Sequence, residues 1–294
     1  MRLSAAIWIM IAASAVQLST SCTLTVRPVY LGWAGPTMSF QWGASLTCSD
    51  GRFGGLSGLA LGDDGGGTLV SISDRGGTWV SMSSRPSTGS QAYLGYVGTG
   101  DAEAVTISPD RTASYVSIEG GGGVHRYSGI LQYDNGWVGA ISNYINSDCG
   151  WGNLQYESLE LLDDHIIVGI CESNGKGRVV DLNTGGLVST FVYPAWGGLQ
   201  PSDAARLSHG RGLLVLERKY VGGSYGRQMH VKVSHVPMWQ LLSGYIVPQL
   251  LLELNVGQHE ADNCAVKPPK RACLNSPCHP YHPSAYQPLP SILT

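Results

Sequence analysis

Four segments of the chain carry an acid or hydroxyl at the start of one apolar run and an acid at the end of the next. The pairs are Ser57 and Asp74, Glu103 and Glu119, Glu157 and Glu172, and Asp203 and Glu217, separated by 17, 16, 15 and 14 residues. Seven of the chain's 21 acidic residues fall at these positions. Carboxylates crowded together repel, and the repulsion raises some of their pKa values. A hard divalent cation with oxygen ligands relieves it, calcium being the natural choice outside the cytoplasm. We therefore expect Asp74, Glu119, Glu172 and Glu217 as metal ligands and Glu103, Glu157 and Asp203 as catalytic acids or bases. Arg75, Arg206 and Arg218 stand beside the acids and suit an anionic group on a substrate.

Other chemistries fare worse. Ser57 sits in Leu56-Ser57-Gly58-Leu59, without the Gly-x-Ser-x-Gly elbow or an evident histidine partner. Gly120 to Gly123 are not followed by Lys-Ser/Thr, so they do not form a phosphate loop. His125 and Tyr127 are weaker candidates for the same locus. The net charge of -3, with no lysine-arginine run, gives no footprint for nucleic acid. The expected partner is a small anionic or ester substrate.

The elements that must position these residues are short. Each acid-bearing segment reads as an apolar run, a turn and a second apolar run: Leu56 to Ala60, then Leu69 to Ser73; Ala102 to Ile107, then Tyr115 to Ile118; Ser158 to Leu162, then Ile166 to Cys171; Ala204 to Leu207, then Leu213 to Leu216. Positions 57, 103, 157 and 203 are 46, 54 and 46 residues apart. A period of ~40–50 residues built from short strands and turns marks a β-propeller with one four-stranded blade per repeat. The fold class is all-β, a propeller of five to six blades with the last one incomplete. The 40 glycines and 13% charged residues agree with many short strands. Consecutive strands pair antiparallel through a tight turn, so the start of one and the end of the next share an edge of the blade. Repetition around a propeller then gathers the acids at one mouth of the channel.

Residues 1–21 read as a targeting segment, with Arg2 followed by an apolar stretch from Leu3 to Ala15. Cleavage after Ala13-Ser14-Ala15 is one option. The other is a lipoprotein-like box, Leu18 to Cys22, that would place a lipid anchor on Cys22. No later run reaches the ~20 apolar residues of a membrane helix. The chain is expected to be exported, to the periplasm or the outer envelope. Export permits disulfides; Cys48, Cys149 and Cys171 are candidates whose pairing the spacing leaves open. Residues 22–255 hold the repeats. Residues 256–294 form a tail with Cys264, Cys273, Cys278 and a proline-rich finish, in which strand periodicity stops.

Several of these phrases resemble a known family, the phytase-like domain proteins described as "esterase-like activity of phytase". The carriers are Gly55-Leu56-Ser57-Gly58-Leu59-Ala60, Ser73-Asp74-Arg75-Gly76, Asp101-Ala102-Glu103-Ala104, Glu157-Ser158-Leu159, Ser202-Asp203-Ala204-Ala205-Arg206-Leu207 and Leu216-Glu217-Arg218. The resemblance spans about residues 50 to 220 and implies an exported bacterial propeller with a hydrolase activity. It lapses at the end, where Asp262-Asn263-Cys264 lacks the Glu-Gly-Leu the family would bring, so a diverged, truncated or frameshifted terminus is expected. Three functions compete: a metal-assisted hydrolase of phosphate or carboxylate esters, a non-catalytic binding or envelope module with structural calcium, and a lactonase-like hydrolase.

Overall fold

The computed structural model describes residues 20–28, 44–62, 67–73, 77–97, 101–119, 123–129, 137–140, 149, 156–195, 197–223 and 226–255. The first 19 residues, the tail from 256 on, and Asp74 and Arg75 lie outside them.

The strands fall into four blades. Blade 1 runs from the centre outward as β4 (Leu56–Leu61), β5 (Thr68–Ser73), β6 (Thr78–Ser83) and β7 (Gln91–Tyr96), with β1 (Thr20–Thr23) added at its rim. Blade 2 is β8 (Ala102–Ile107), β9 (Ala113–Ile118), β10 (Gly123–Ser128) and β11 (Trp137–Ala140). Blade 3 is β12 (Tyr156–Leu161), β13 (Ile166–Cys171), β14 (Lys176–Asp181) and β15 (Gly186–Val192). Blade 4 is β16 (Gln200–Leu207), β17 (Gly212–Gly223), β18 (Gly226–Val236) and β19 (Gln249–Asn255). A short helix, α1 (Met238–Ser243), packs along β15, and β2 (Thr25–Pro28) pairs with β3 (Ala44–Thr47). Every ladder is antiparallel, and β4, β8, β12 and β16 stand side by side as inner strands. The protein is thus a β-propeller. The expected five to six blades become four among the described residues.

Three apolar layers hold the blades together. Val70, Ile72, Val105 and Ile118 fill the layer between blades 1 and 2; Tyr115, Leu159, Leu161 and Ile167 fill the next; Val168, Ile170, Leu213 and Val215 fill the third. Alternate residues of each strand face one neighbour, because side chains alternate across a sheet. Trp79 belongs to the first layer and lies against Gly95, where an added Cβ would stand 2.2 Å from the indole. Trp239, by contrast, is exposed. Gly58 serves the same purpose at the centre: its missing side chain lets β4 lie on the backbone of β8, 2.7 Å from Ala104 Cα to the would-be Cβ.

Two disulfides lock the periphery and the core. Cys149–Cys171 is buried in the layer between blades 2 and 3, and Cys22–Cys48 joins β1 to the segment after β3. The second bond engages the Cys22 sulfur with Cys48. Strand β1 begins at Thr20 and pairs residue by residue with β7. The two bonds fit an oxidising, extracytoplasmic compartment. Among the described residues, no helix is long and apolar enough to cross a membrane.

Candidate functional site at the propeller mouth

One irregularity recurs in every blade and builds the site. The inner strand carries one extra residue relative to its neighbour: between Leu56 and Leu59, Ala102 and Ala104, Tyr156 and Ser158, and Pro201 and Asp203. Such a β-bulge re-aims a side chain out of the ladder. The residues it contains are Ser57 with Gly58, then Glu103, Glu157 and Ser202. The regular spacing of Ser57, Glu103 and Glu157 is therefore the spacing of a repeated bulge.

The fourth blade departs from the expected alignment by one residue. Ala102 pairs with Ile118 and Tyr156 with Cys171, so Glu119 and Glu172 come one step later, level with the mouth. In blade 4 the equivalent pair is Pro201 and Glu217, and the residue one step later is Arg218. A slip of one residue turns a strand side chain to the opposite face. Glu217 accordingly points into blade 4, where Ser234 Oγ donates to its Oε2 at 3.2 Å and Tyr193 stands close by. Burial raises its pKa. Glu217 thus lies apart from the group of Asp101, Glu103 and Glu119. Asp203 likewise follows the bulge instead of occupying it, and its Oδ1 accepts from the Ala204 N–H at 2.8 Å.

The remaining groups form a continuous arc. Ser57 Oγ donates to Glu103 Oε2 at 2.6 Å, joining blade 1 to blade 2. Ligand oxygens of Asp101, Glu103 and Glu119 all lie within 4.8 Å of one another. Asp101 precedes β8, its carbonyl accepts the Glu119 N–H at 2.7 Å, and its Oδ1 is buried without a hydrogen-bond partner. Burial is the main cause that pushes Glu103 above the usual carboxylate range, reinforced by Asp101 and Glu119 and opposed by the Ser57 hydroxyl. Glu157 is raised too, first by burial and then by Glu172 and Glu103, with Arg218 working the other way. Arg218 Nη2 donates to Glu157 Oε2 at 2.8 Å and stands 4.0 Å from Glu172 Oε1.

Behind this arc, deeper between the inner strands, lies a second group. Burial lifts Glu160 to about 8 against the pull of Arg206 and a hydrogen bond from Thr106. Asp203 is lifted to about 7, again by burial first. Arg206 reaches the Leu162 carbonyl at 3.5 Å, which places it in this inner group and not beside the mouth acids. Sequence reasoning passed over Asp101 and Glu160. Their only signal was charge within otherwise apolar inner-strand phrases. Tyr127 is buried with its hydroxyl bonded to the Val97 carbonyl, and His125 belongs to β10, outside the inner strands. Two shallow depressions, of about 400 and 290 Å³, sit on the outer strands of blades 3 and 1 and contain no carboxylate.

The donor set suits a hard cation. Three carboxylates supply only oxygen, their mutual distances match ligands about 2.3–2.6 Å from a calcium ion, and Asp101 Oδ1 is a buried acceptor without a hydrogen-bond donor. What the site can do chemically is hold such an ion and present the Ser57 hydroxyl on one side of it and the Glu157–Arg218 pair on the other.

Comparison with known proteins agrees with this picture at the level of family. Among solved structures, the hydrazine synthase of Kuenenia stuttgartiensis is similar over 67% of this chain and 49% of that one, at 16% identity and a TM-score of 0.40. The chain thus spans about half the length of that relative. The β-propeller domain of Cps50 (Swd1) from Myceliophteria thermophila is similar over 81% of this chain and 77% of that one, at 9% identity and a TM-score of 0.45. No curated protein matches the chain. The family model Phytase-like, "Esterase-like activity of phytase", matches residues 51–247, which takes in all four bulges, and the chain belongs to that family.

Proposed function

We propose that the propeller mouth is the active site of a metal-assisted ester hydrolase acting outside the cytoplasm. The observation that carries this reading is the Asp101–Glu103–Glu119 triad, set beside Glu157 on the next blade, whose pKa burial raises. Asp101, Glu103 and Glu119 would hold a divalent cation, calcium in an extracellular setting. When bound, the cation supplies Lewis acidity that polarises the ester's carbonyl or phosphoryl oxygen. Glu157, whose pKa is raised by burial and lowered by Arg218, is the acid placed to protonate the leaving alcohol. Arg218 fixes the position of Glu157 and places positive charge on the blade 3–4 side of the mouth.

Hydrolysis of phosphomonoester and carboxylester substrates, measured with and without calcium, tests the reading. Calcium-dependent turnover that is lost in Glu103→Gln and Glu157→Gln is expected. Absence of any metal-dependent turnover sinks it. The ion pair from Arg218 to Glu157 and Glu172 favours a second reading, in which the arc is a structural charge network and calcium only stabilises the fold. A melting temperature that rises with calcium while turnover stays absent is its signature.

A further inference from the structure

We propose that Ser57 is a covalent nucleophile, activated by Glu103, and that the substrate is a neutral carboxylic ester. The proposal rests on the reading of the mouth as a hydrolytic site and assigns the group that attacks first. Sequence inspection gives Ser57 no histidine, yet the fold supplies a different base across the blade boundary: Ser57 Oγ donates to Glu103 Oε2 at 2.6 Å. Nucleophile and base within hydrogen-bond reach, with the base flanked by a third group, is the general pattern of an activated hydroxyl. Here Asp101 and Glu119 flank Glu103. The bulge at Ser57 and Gly58 turns the hydroxyl out of the β4–β5 ladder, and Gly58 pins that bulge on the backbone of Ala104 and Val105. Ser57 is only half-buried, so an ester can approach it.

The surroundings choose the substrate class. A carboxylic ester carries no charge for the carboxylates of Asp101, Glu103 and Glu119 to oppose, with or without a cation between them. Leu56 and Leu59, both exposed, flank Ser57 on β4 and offer apolar surface to an acyl chain. The step balances without any further reagent. Ser57 Oγ bonds to the acyl carbon as its proton passes to Glu103; the carbon–oxygen bond to the alcohol breaks and the alcohol leaves with the proton that Glu103 had taken. Water then attacks the acyl-serine, gives its proton to Glu103, and Ser57 regains a proton as the acid departs.

A neutral fluorophosphonate probe applied to the full chain, followed by peptide mass mapping, tests this directly. The adduct is expected on Ser57. It should disappear in Ser57→Ala, persist as a thiol adduct in the near-isosteric Ser57→Cys, and form more slowly in Glu103→Gln, by on the order of 10²–10⁴ if the carboxylate acts as general base. Circular dichroism of each variant separates lost chemistry from lost fold. Turnover of a p-nitrophenyl ester with no adduct, or an adduct on another residue, overturns the serine and leaves the hydrolase reading intact. An adduct on Ser57 without turnover of any ester supports the nucleophile and removes the hydrolase reading.

Discussion

Arg218 on β17 donates to Glu157 on β12 at 2.8 Å, so blade 4 places a cation where blades 2 and 3 place Glu119 and Glu172. The mouth is consequently polarised, with three carboxylates at the blade 1–2 side and an ion pair at the blade 3–4 side. Removing one partner leaves a buried carboxyl with a lost charged hydrogen bond. Arg218→Met should destabilise the protein by about 1.5–3 kcal/mol. Urea unfolding checks this, and a double cycle with Glu157→Gln should recover part of the loss, because a neutral amide does not need the guanidinium. Equal effects of single and double variants would show that the pair contributes nothing.

The register in blade 4 makes a separable prediction. Glu119→Gln should weaken calcium binding by on the order of ten- to a hundred-fold, whereas Glu217→Gln should leave it unchanged, since Glu217 faces Ser234 and Tyr193. Calorimetric titration of both variants with calcium decides the matter. A large effect of Glu217→Gln on affinity would contradict the one-residue slip.

Glu160 and Asp203 predict a pH dependence. Each has a folded pKa above its ordinary value, at about 8 and about 7 against 4.5 and 3.8. The native state therefore binds more protons than the unfolded chain between those limits, and stability falls as pH rises through that window. Stability should be fully retained near pH 4 as far as these two groups are concerned, and should decline up to about pH 8. Glu160→Gln and Asp203→Asn should flatten the profile measured by thermal melts across pH. An unchanged slope in both variants would dispose of the assignment.

The buried disulfide supports the site from behind. Cys171 pairs with Tyr156 and immediately precedes Glu172, while Tyr156 immediately precedes Glu157. Replacing Cys149 and Cys171 with serine should lower stability by about 2–4 kcal/mol. Replacing Cys22 and Cys48 should leave calcium affinity unaffected, because that bond ties down β1 and the segment after β3, away from the inner strands. Calcium titration of both double variants checks the contrast.

Gly58 yields a packing prediction. Gly58→Ala would bring a Cβ to 2.7 Å from the backbone of Ala104 and Val105, where no flexible side chain can give way. Overpacking of this kind costs about 1–3 kcal/mol. It should also part Ser57 from Glu103 and slow labelling of Ser57 beyond what the stability change alone explains. Full labelling at wild-type rate in a folded Gly58→Ala variant would show that the two strands tolerate separation.

The amino-acid sequence by itself determined the propeller class, because strand patterning and a repeat of 46 to 54 residues are local properties that any one blade displays. It also located Glu103, Glu157, Glu119 and Glu172, since antiparallel pairing brings the start of one strand and the end of the next to the same edge. It could not distinguish Glu217 from Arg218, or Ser202 from Asp203. A bulge adds one residue to one strand only, and the face of every following side chain depends on where that residue sits. Asp101 and Glu160 were equally hidden, because their significance lies in neighbours from other blades. Ser57 shows the division most clearly. Its sequence context lacks a partner, and tertiary structure supplies Glu103, 46 residues away, by stacking β4 on β8 through a glycine.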